Sequence, residues 1–276
     1  MTASLSDKDR ALRVLARLHA RYPEPETHLT HASAWELLVA TVLAAQCTDE
    51  RVNKVTPELF RRWPGPAELA FAGQEELEEV VHSTGFYRNK ARNLIVAAQR
   101  VMQEYGGTVP RTMAELVTLP GLARKTANVV LWGGFGVNEG MAVDTHVKRI
   151  AFRLGFTGSD NPVVVEKDLL PLFPQEEWGN VNHMLVWFGR HVCDARKPAC
   201  DQCEMTDLCP RNGVGGVPGT LVPARKTKGS SSVLGSSTAV AGAKQGPGRS
   251  AASASAPDVP KKQAAGKPKG KQGRSR

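Results

Sequence analysis

The sequence predicts an all-α fold, on three observations. Apolar residues recur every three or four positions along most of the chain to about residue 190. Helix-capping side chains open several of those runs, and no segment sustains the apolar/polar alternation of a strand. Leu12, Leu15 and Leu18 place a first amphipathic helix near the N-terminus. Ser33 stands three residues ahead of Glu36, a capping box, and opens a helix whose stripe is Trp35, Leu38, Val39, Val42 and Leu43. Leu77, Val80 and Val81 continue the period. The longest helix is expected between Tyr87 and Tyr105, with Ala91, Leu94, Ile95, Ala98, Val101 and Met102 on one face. Gly106 and Gly107 end it, because glycine enters the left-handed C-cap conformation without a Cβ clash. Thr112 with Glu115 caps another helix. Asn161 and Pro162 read as N-cap and first helical residue, where proline has no needed amide hydrogen to lose. Trp178, Val181, Met184, Leu185 and Phe188 mark the last helix, and no internal repeat of fixed period is visible.

Of the 276 residues 41% are hydrophobic, yet no apolar run approaches the roughly 20 residues of a membrane-spanning helix. A soluble protein with no membrane partner is expected. The N-terminal segment mixes acids with bases and lacks the apolar core of a secretory signal, so the expected location is intracellular, in the cytoplasm. The net charge of +9 is uneven. Residues 212–276 hold 12 of the 36 Lys and Arg but one of the 27 Asp and Glu, a balance of +11, which leaves −2 on residues 1–211. A basic pI therefore argues for a nucleic-acid partner only in the tail, and the folded part needs a local site. From about Val214 the composition is Gly, Ser, Ala, Pro and Lys, too poor in large apolar side chains to offset ordering entropy. That tail is expected to be disordered, serving as a phosphate-binding arm or as a solubilising extension.

Four of the five cysteines, Cys193, Cys200, Cys203 and Cys209, form a C-x6-C-x2-C-x5-C run directly after the last helix. Disulfides are disfavoured inside cells, so a metal is the first reading. Zinc sites tend to use two short cysteine pairs. One short pair flanked by longer reaches suits the four corners of a 4Fe-4S cluster better. With few apolar side chains nearby, the segment is expected to fold only around its metal. Cys47, beside an apolar stripe, reads as a small buried thiol. The run Leu119-Pro-Gly-Leu-Ala-Arg-Lys-Thr-Ala127 lies between two expected helices. Pro120 and Gly121 make a tight turn, and the amides opening the second helix form an anion site able to take a DNA phosphate; an ordinary helix–helix turn is the alternative.

LPGLARKTANVVL, then AVDTHVKRIAFRLG, then the four-cysteine run, in that order, resemble the endonuclease III family of helix-hairpin-helix DNA glycosylases. LLVATVLAAQCTDERVNKV and STGFYRNKARNL resemble its first barrel helices and the loop before its long helix, so the likeness covers about residues 7–211. The resemblance implies a six-helix barrel domain over 27–137, an iron-sulfur cluster domain from 1–26 and 138–211, and a lesion pocket in the groove between them. Ala123 departs from the pattern, standing where the hairpin usually has its second glycine, and the loop from Phe135 to Met141 is slightly long.

The implied activity is that of a bifunctional glycosylase/AP lyase of base excision repair. It removes oxidised pyrimidines from duplex DNA and cuts the 3′ side of the abasic site by β-elimination through a Schiff base. The implied partner is double-stranded DNA with damaged pyrimidines or abasic sites, met by a monomer at the bacterial nucleoid. Such chemistry needs an amine nucleophile and a nearby carboxylate. Lys125 lies in the first turn of the second hairpin helix, where the dipole field and partial burial in a cleft are expected to lower its pKa. Asp144 would stabilise charge developing at the sugar, move protons, and cap the helix that starts at Thr145. By resemblance Gln46 and Phe86 fill the gap left by the extruded base. Gly121, Ala123 and Arg124 are candidate phosphate contacts, with Lys148 beside them. His146 and His183 read as satisfied buried histidines. The alternatives are a monofunctional mismatch glycosylase, a non-catalytic DNA-damage binder and an electron-transfer protein. The retained Lys125 and Asp144 argue against the binder, and the hairpin against electron transfer.

Overall fold

Eleven α-helices and no strand make up the described residues, 5–215, of this computed structural model. Of the tail expected to be disordered, residues 216–276 fall outside those residues; at its start Asn212 is bonded to the fold, its Nδ2 donating to the Phe152 carbonyl at 3.1 Å. The helices are α1 (Asp7–Arg21), α2 (Ala34–Leu43), α3 (Asp49–Arg62), α4 (Pro66–Leu69), α5 (Gln74–Val81), α6 (Tyr87–Tyr105), α7 (Met113–Leu116), α8 (Arg124–Phe135), α9 (Thr145–Arg153), α10 (Pro162–Leu169) and α11 (Trp178–His191). Among these helices none is long and apolar enough to cross a membrane.

Local chemistry sets most of the boundaries. Ser33 Oγ accepts the Glu36 amide at 3.1 Å, but the Glu36 carboxylate accepts from the Ala32 amide rather than from Ser33, so the capping box closes one residue early. Thr112, Asp144 and Asn161 cap α7, α9 and α10 with their side chains. The helix α6 ends at Gly106, which is left-handed at φ 59°. The stripe expected on α2 is an understatement, because Leu37 and Ala40 are buried as well and the helix runs through the middle of a core. Leu12 and Met102, both placed on apolar faces by periodicity, are more than a third exposed. The helix α3 is marked by the family likeness and not by periodicity; Thr48 caps it, acids open it and Arg61 and Arg62 close it, each favourable to its dipole.

Buried side chains gather in two cores. The first draws on residues 29–131, from Leu29 through α2–α8 to Leu131. The second joins α1 to residues 141–208, with Val147, Val165, Met184 and Phe188 at its centre. Burying each such side chain contributes about 1.5–3 kcal/mol, so each core is a substantial term by itself. The two lobes touch where Gly179 of α11 packs on Trp132 of α8, so closely that a Cβ on Gly179 would stand 2.1 Å from the indole. Beside that contact the Glu166 carboxylate, with its side chain 7% exposed, receives Arg124 Nε and Nη2 at 2.8 Å each and the Met141 amide at 3.1 Å. A buried carboxylate tolerates desolvation only with such pairing. Together these contacts fix the width of the groove between the lobes.

Candidate active site and metal centre

The groove is open to solvent, with a cavity volume of about 290 Å³. Lys125 reaches it from α8 in the first lobe, Asp144 from the start of α9 in the second, and Gln46 from the turn after α2. Residues far apart in sequence thus meet in one site. Asp144 Oδ1 accepts the Val147 amide at 2.8 Å, which holds the carboxylate at the N-terminus of α9 and leaves its other oxygen without a partner. Lys125 is exposed and makes no hydrogen bond or ion pair. The partial burial expected of it is therefore absent from the protein alone, and desolvation of the amine has to come from a bound ligand.

The hairpin turn explains why Ala123 is tolerated. Gly121 has φ +86°, and a Cβ there would press on Val42 and Asn93 at 3.3–3.4 Å. Ala123 instead has φ −93° and ψ 168°, extended backbone that any residue adopts. As N-cap of α8 it offers no side-chain hydrogen bond, so the first amides of that helix keep their capacity for an anion. The other two phosphate candidates already have partners. Arg124 is committed to Glu166 in a two-pronged ion pair, and Lys148 Nζ donates to the Asp160 carbonyl at 3.0 Å.

Gln46 and Phe86 share an uncommon backbone. Among the described residues only Gln46 (φ 53°), Phe86 (φ 48°) and Arg211 (φ 60°) are non-glycine residues with positive φ. Each such residue costs roughly 1 kcal/mol or more and persists only where its surroundings impose it, most often at functional sites. Phe86 is 63% exposed, which rules out the core role an aromatic residue ordinarily has. It does not line the groove itself.

The histidines divide. His146 Nδ1 meets Arg149 Nη2 at 3.1 Å and has a partner, as expected. His183 is buried and hydrogen-bonds with the Pro25 backbone, while its Nδ1 has no partner among the described residues, so it is satisfied only in part. Burial pushes the pKa of both below the usual histidine value. Sequence reasoning missed Asp49 and Arg190, whose ion pair at 2.8 Å joins the two lobes across the groove, and it missed Glu166. No local pattern distinguishes these from solvated charges. Cys47 is half-buried against the first core.

At the far side of the second core Cys193, Cys200, Cys203 and Cys209 line one cavity. Arg153 Nη1 lies 3.2 Å from Cys193 Sγ, and the Met205 and Arg211 amides point at Cys203 and Cys209 Sγ at 3.4 Å. Such N–H donors suit sulfur atoms that carry negative charge. Burial pushes the Cys203 and Cys209 thiols up, and their cysteine neighbours add to it, so four thiolates coexist there only with positive charge from a metal. Among the described residues no three His, Cys, Asp or Glu close on a single-ion site. Thiols spread around a cavity fit a group wider than one ion, and the residues present fit a 4Fe-4S cluster.

Residues 39–175 match the family model for the HhH-GPD superfamily of base excision DNA repair proteins, and residues 193–209 match the iron-sulfur binding domain of endonuclease III. Endonuclease III of Synechocystis is 51% identical over 205 residues, 74% of this chain and 94% of that protein. A trapped endonuclease III–DNA covalent intermediate aligns with TM-score 0.70 at 42% identity, covering 75% of this chain and 97% of the other. A non-covalent endonuclease III–DNA complex aligns with TM-score 0.71 at the same identity and coverage.

Proposed function

This chain belongs to the endonuclease III family of helix-hairpin-helix DNA glycosylase/AP lyases and carries a 4Fe-4S cluster, and from that premise we propose how its own residues perform base excision. One observation carries the reading: Lys125 and Asp144, supplied by different lobes, line a single groove. A damaged nucleotide turned out of the duplex enters that groove, and its bulk desolvates Lys125. The deprotonated amine attacks C1′, a C1′–N bond forms, and the C1′–base bond breaks as the base leaves with a proton. The free oxygen of Asp144 stabilises positive charge on the sugar and moves protons. Ring opening gives an imine between Lys125 and C1′. Loss of a C2′ proton then expels the 3′ phosphate by β-elimination.

Gln46 and Phe86 occupy the gap in the stack, while Gly121 and the amides after Ala123 take a backbone phosphate. Arg124 acts on the groove as a strut rather than as a phosphate ligand. The first core belongs to a barrel domain over 27–137 and the second to a cluster domain from 1–26 and 138–211. Cys193, Cys200, Cys203 and Cys209 hold the cluster, which supplies positive charge and four bonds that close their loop. The substrates are duplexes with oxidised pyrimidines or abasic sites, met by a monomer in the cytoplasm at the nucleoid.

Borohydride trapping tests the central step. Wild type should become covalently linked to an abasic duplex, and Lys125→Ala should lose the adduct and the nick together. An adduct of undiminished yield in Lys125→Ala would remove the lysine from the mechanism.

A further inference from the structure

Lys90, in the first turn of α6, is a lysine 5% exposed with no carboxylate beside it. Its Nζ donates to the Leu43 carbonyl at 2.8 Å and to the Thr84 carbonyl at 2.7 Å. Both acceptors end a helical segment. Leu43 is the last residue of α2, and Thr84 the last of the 3-10 turn His82–Thr84. Each also lies just ahead of a strained residue, Leu43 three positions before Gln46 and Thr84 two before Phe86. One buried ammonium thus bridges the two loops that hold the left-handed glutamine and phenylalanine. Its burial pushes its pKa down, with the Cys47 side chain opposing, and the two carbonyls and the negative end of the α2 dipole favour its charged form. A core position filled for packing alone would hold an apolar side chain at no desolvation cost.

We propose that Lys90 is a positioning residue that fixes Gln46 and Phe86 relative to each other, so that both enter the gap in the base stack as one unit. This rests on the reading of Gln46 and Phe86 as gap-filling side chains. The cation contributes nothing to bond making at the sugar. Its effect therefore depends on whether the substrate has a stack to fill.

The test uses Lys90→Met in the full chain with its cluster. On a duplex with one oxidised pyrimidine, the single-turnover rate of base release should fall about tenfold or more. Borohydride trapping on a single-stranded abasic oligomer, which has no paired stack, should fall by less than about threefold. Equal losses on both substrates, or none on the duplex, would overturn the proposal. A general loss of structure is separated by a cycle in which Lys90→Met is added to Gln46→Ala/Phe86→Ala. Its effect should largely vanish there, since its targets are gone, and an undiminished effect counts against it. A reading without chemistry is available in 2-aminopurine placed opposite a non-cleavable abasic analogue. Its emission should rise on wild-type binding and stay low with Lys90→Met; equal rises would sink the inference. Wild type that brightens the probe yet never traps would instead discredit the lysine nucleophile and leave this proposal standing.

Discussion

The two lobes bury similar kinds of side chain but are closed by different means. The first core is drawn from one continuous stretch, residues 29–131, and its helices α2 and α6 carry runs of fully buried Leu, Val and Ala. The second is assembled from α1 and from residues 141–208, and its outer edge consists of half-buried Cys193, Cys203 and Cys209. Polar clamps hold that edge. Arg153 donates to the Asp194 and Ala195 carbonyls at 2.6 and 2.9 Å, and Arg17 of α1 grips Asp207, holding its pKa down at about 2. The first lobe is therefore kept together by apolar area, and the second adds polar clamps at a rim of cysteines to its apolar core.

That contrast can be broken most severely at the metal. Cys203→Ser should abolish visible absorbance and bound iron, and amide exchange should accelerate through α1 and α9–α11 while α2 and α6 stay protected. Equal acceleration in both lobes would show that the first core leans on the cluster too. The reciprocal experiment is Leu38→Ala, a fully buried side chain in the first core. It should cost about 2–5 kcal/mol in urea unfolding and leave iron per chain unchanged. Glu166→Gln attacks the join between lobes, leaving Arg124 without its counter-charge. About 1–3 kcal/mol of stability should go, and strand cutting should slow as the groove loosens, with both cores intact by exchange.

The smallest effect is one of pH. Burial holds His183 neutral in the folded chain at pH values where an unfolded histidine, with a pKa of about 6.5, already binds a proton. The unfolded chain therefore gains protons first as pH falls. Stability from this group is complete above about 6.5 and drains below it. Thermal melts taken from about pH 7.5 to 5.5 should decline, and less steeply in His183→Gln. Identical slopes would mean that His28 and His146, also pushed down by burial, carry the effect.

Much of this was legible in the sequence, for physical reasons that differ by residue. The limits of α6 followed from its period and from Gly106, and the Asn161–Pro162 and Asp144 caps are local chemistry that needs no tertiary context. The helix α3 was harder, because Pro57 inside it imitates a break. At the site, Lys125, Asp144 and Gln46 were reached through family likeness, and they do share one groove. The ion pair of Arg124 is not legible locally, because its partner Glu166 stands 42 residues away. Lys90 was overlooked for a related reason, since a lysine on an amphipathic helix ordinarily reaches solvent, and only the fold shows two carbonyls around this one.

The split origin of the second core sets an order of assembly during synthesis. The helix α1 leaves the ribosome early with Val14 and Leu18 wanting cover, and that cover, residues 141–208, is made last. The first lobe can finish in the meantime from consecutive residues. A nascent polypeptide halted before Cys209 thus has a completed hairpin lobe and an unsealed second one. Closure of that lobe through Cys209 can only follow synthesis of the chain to that residue, long after the first lobe has all its core.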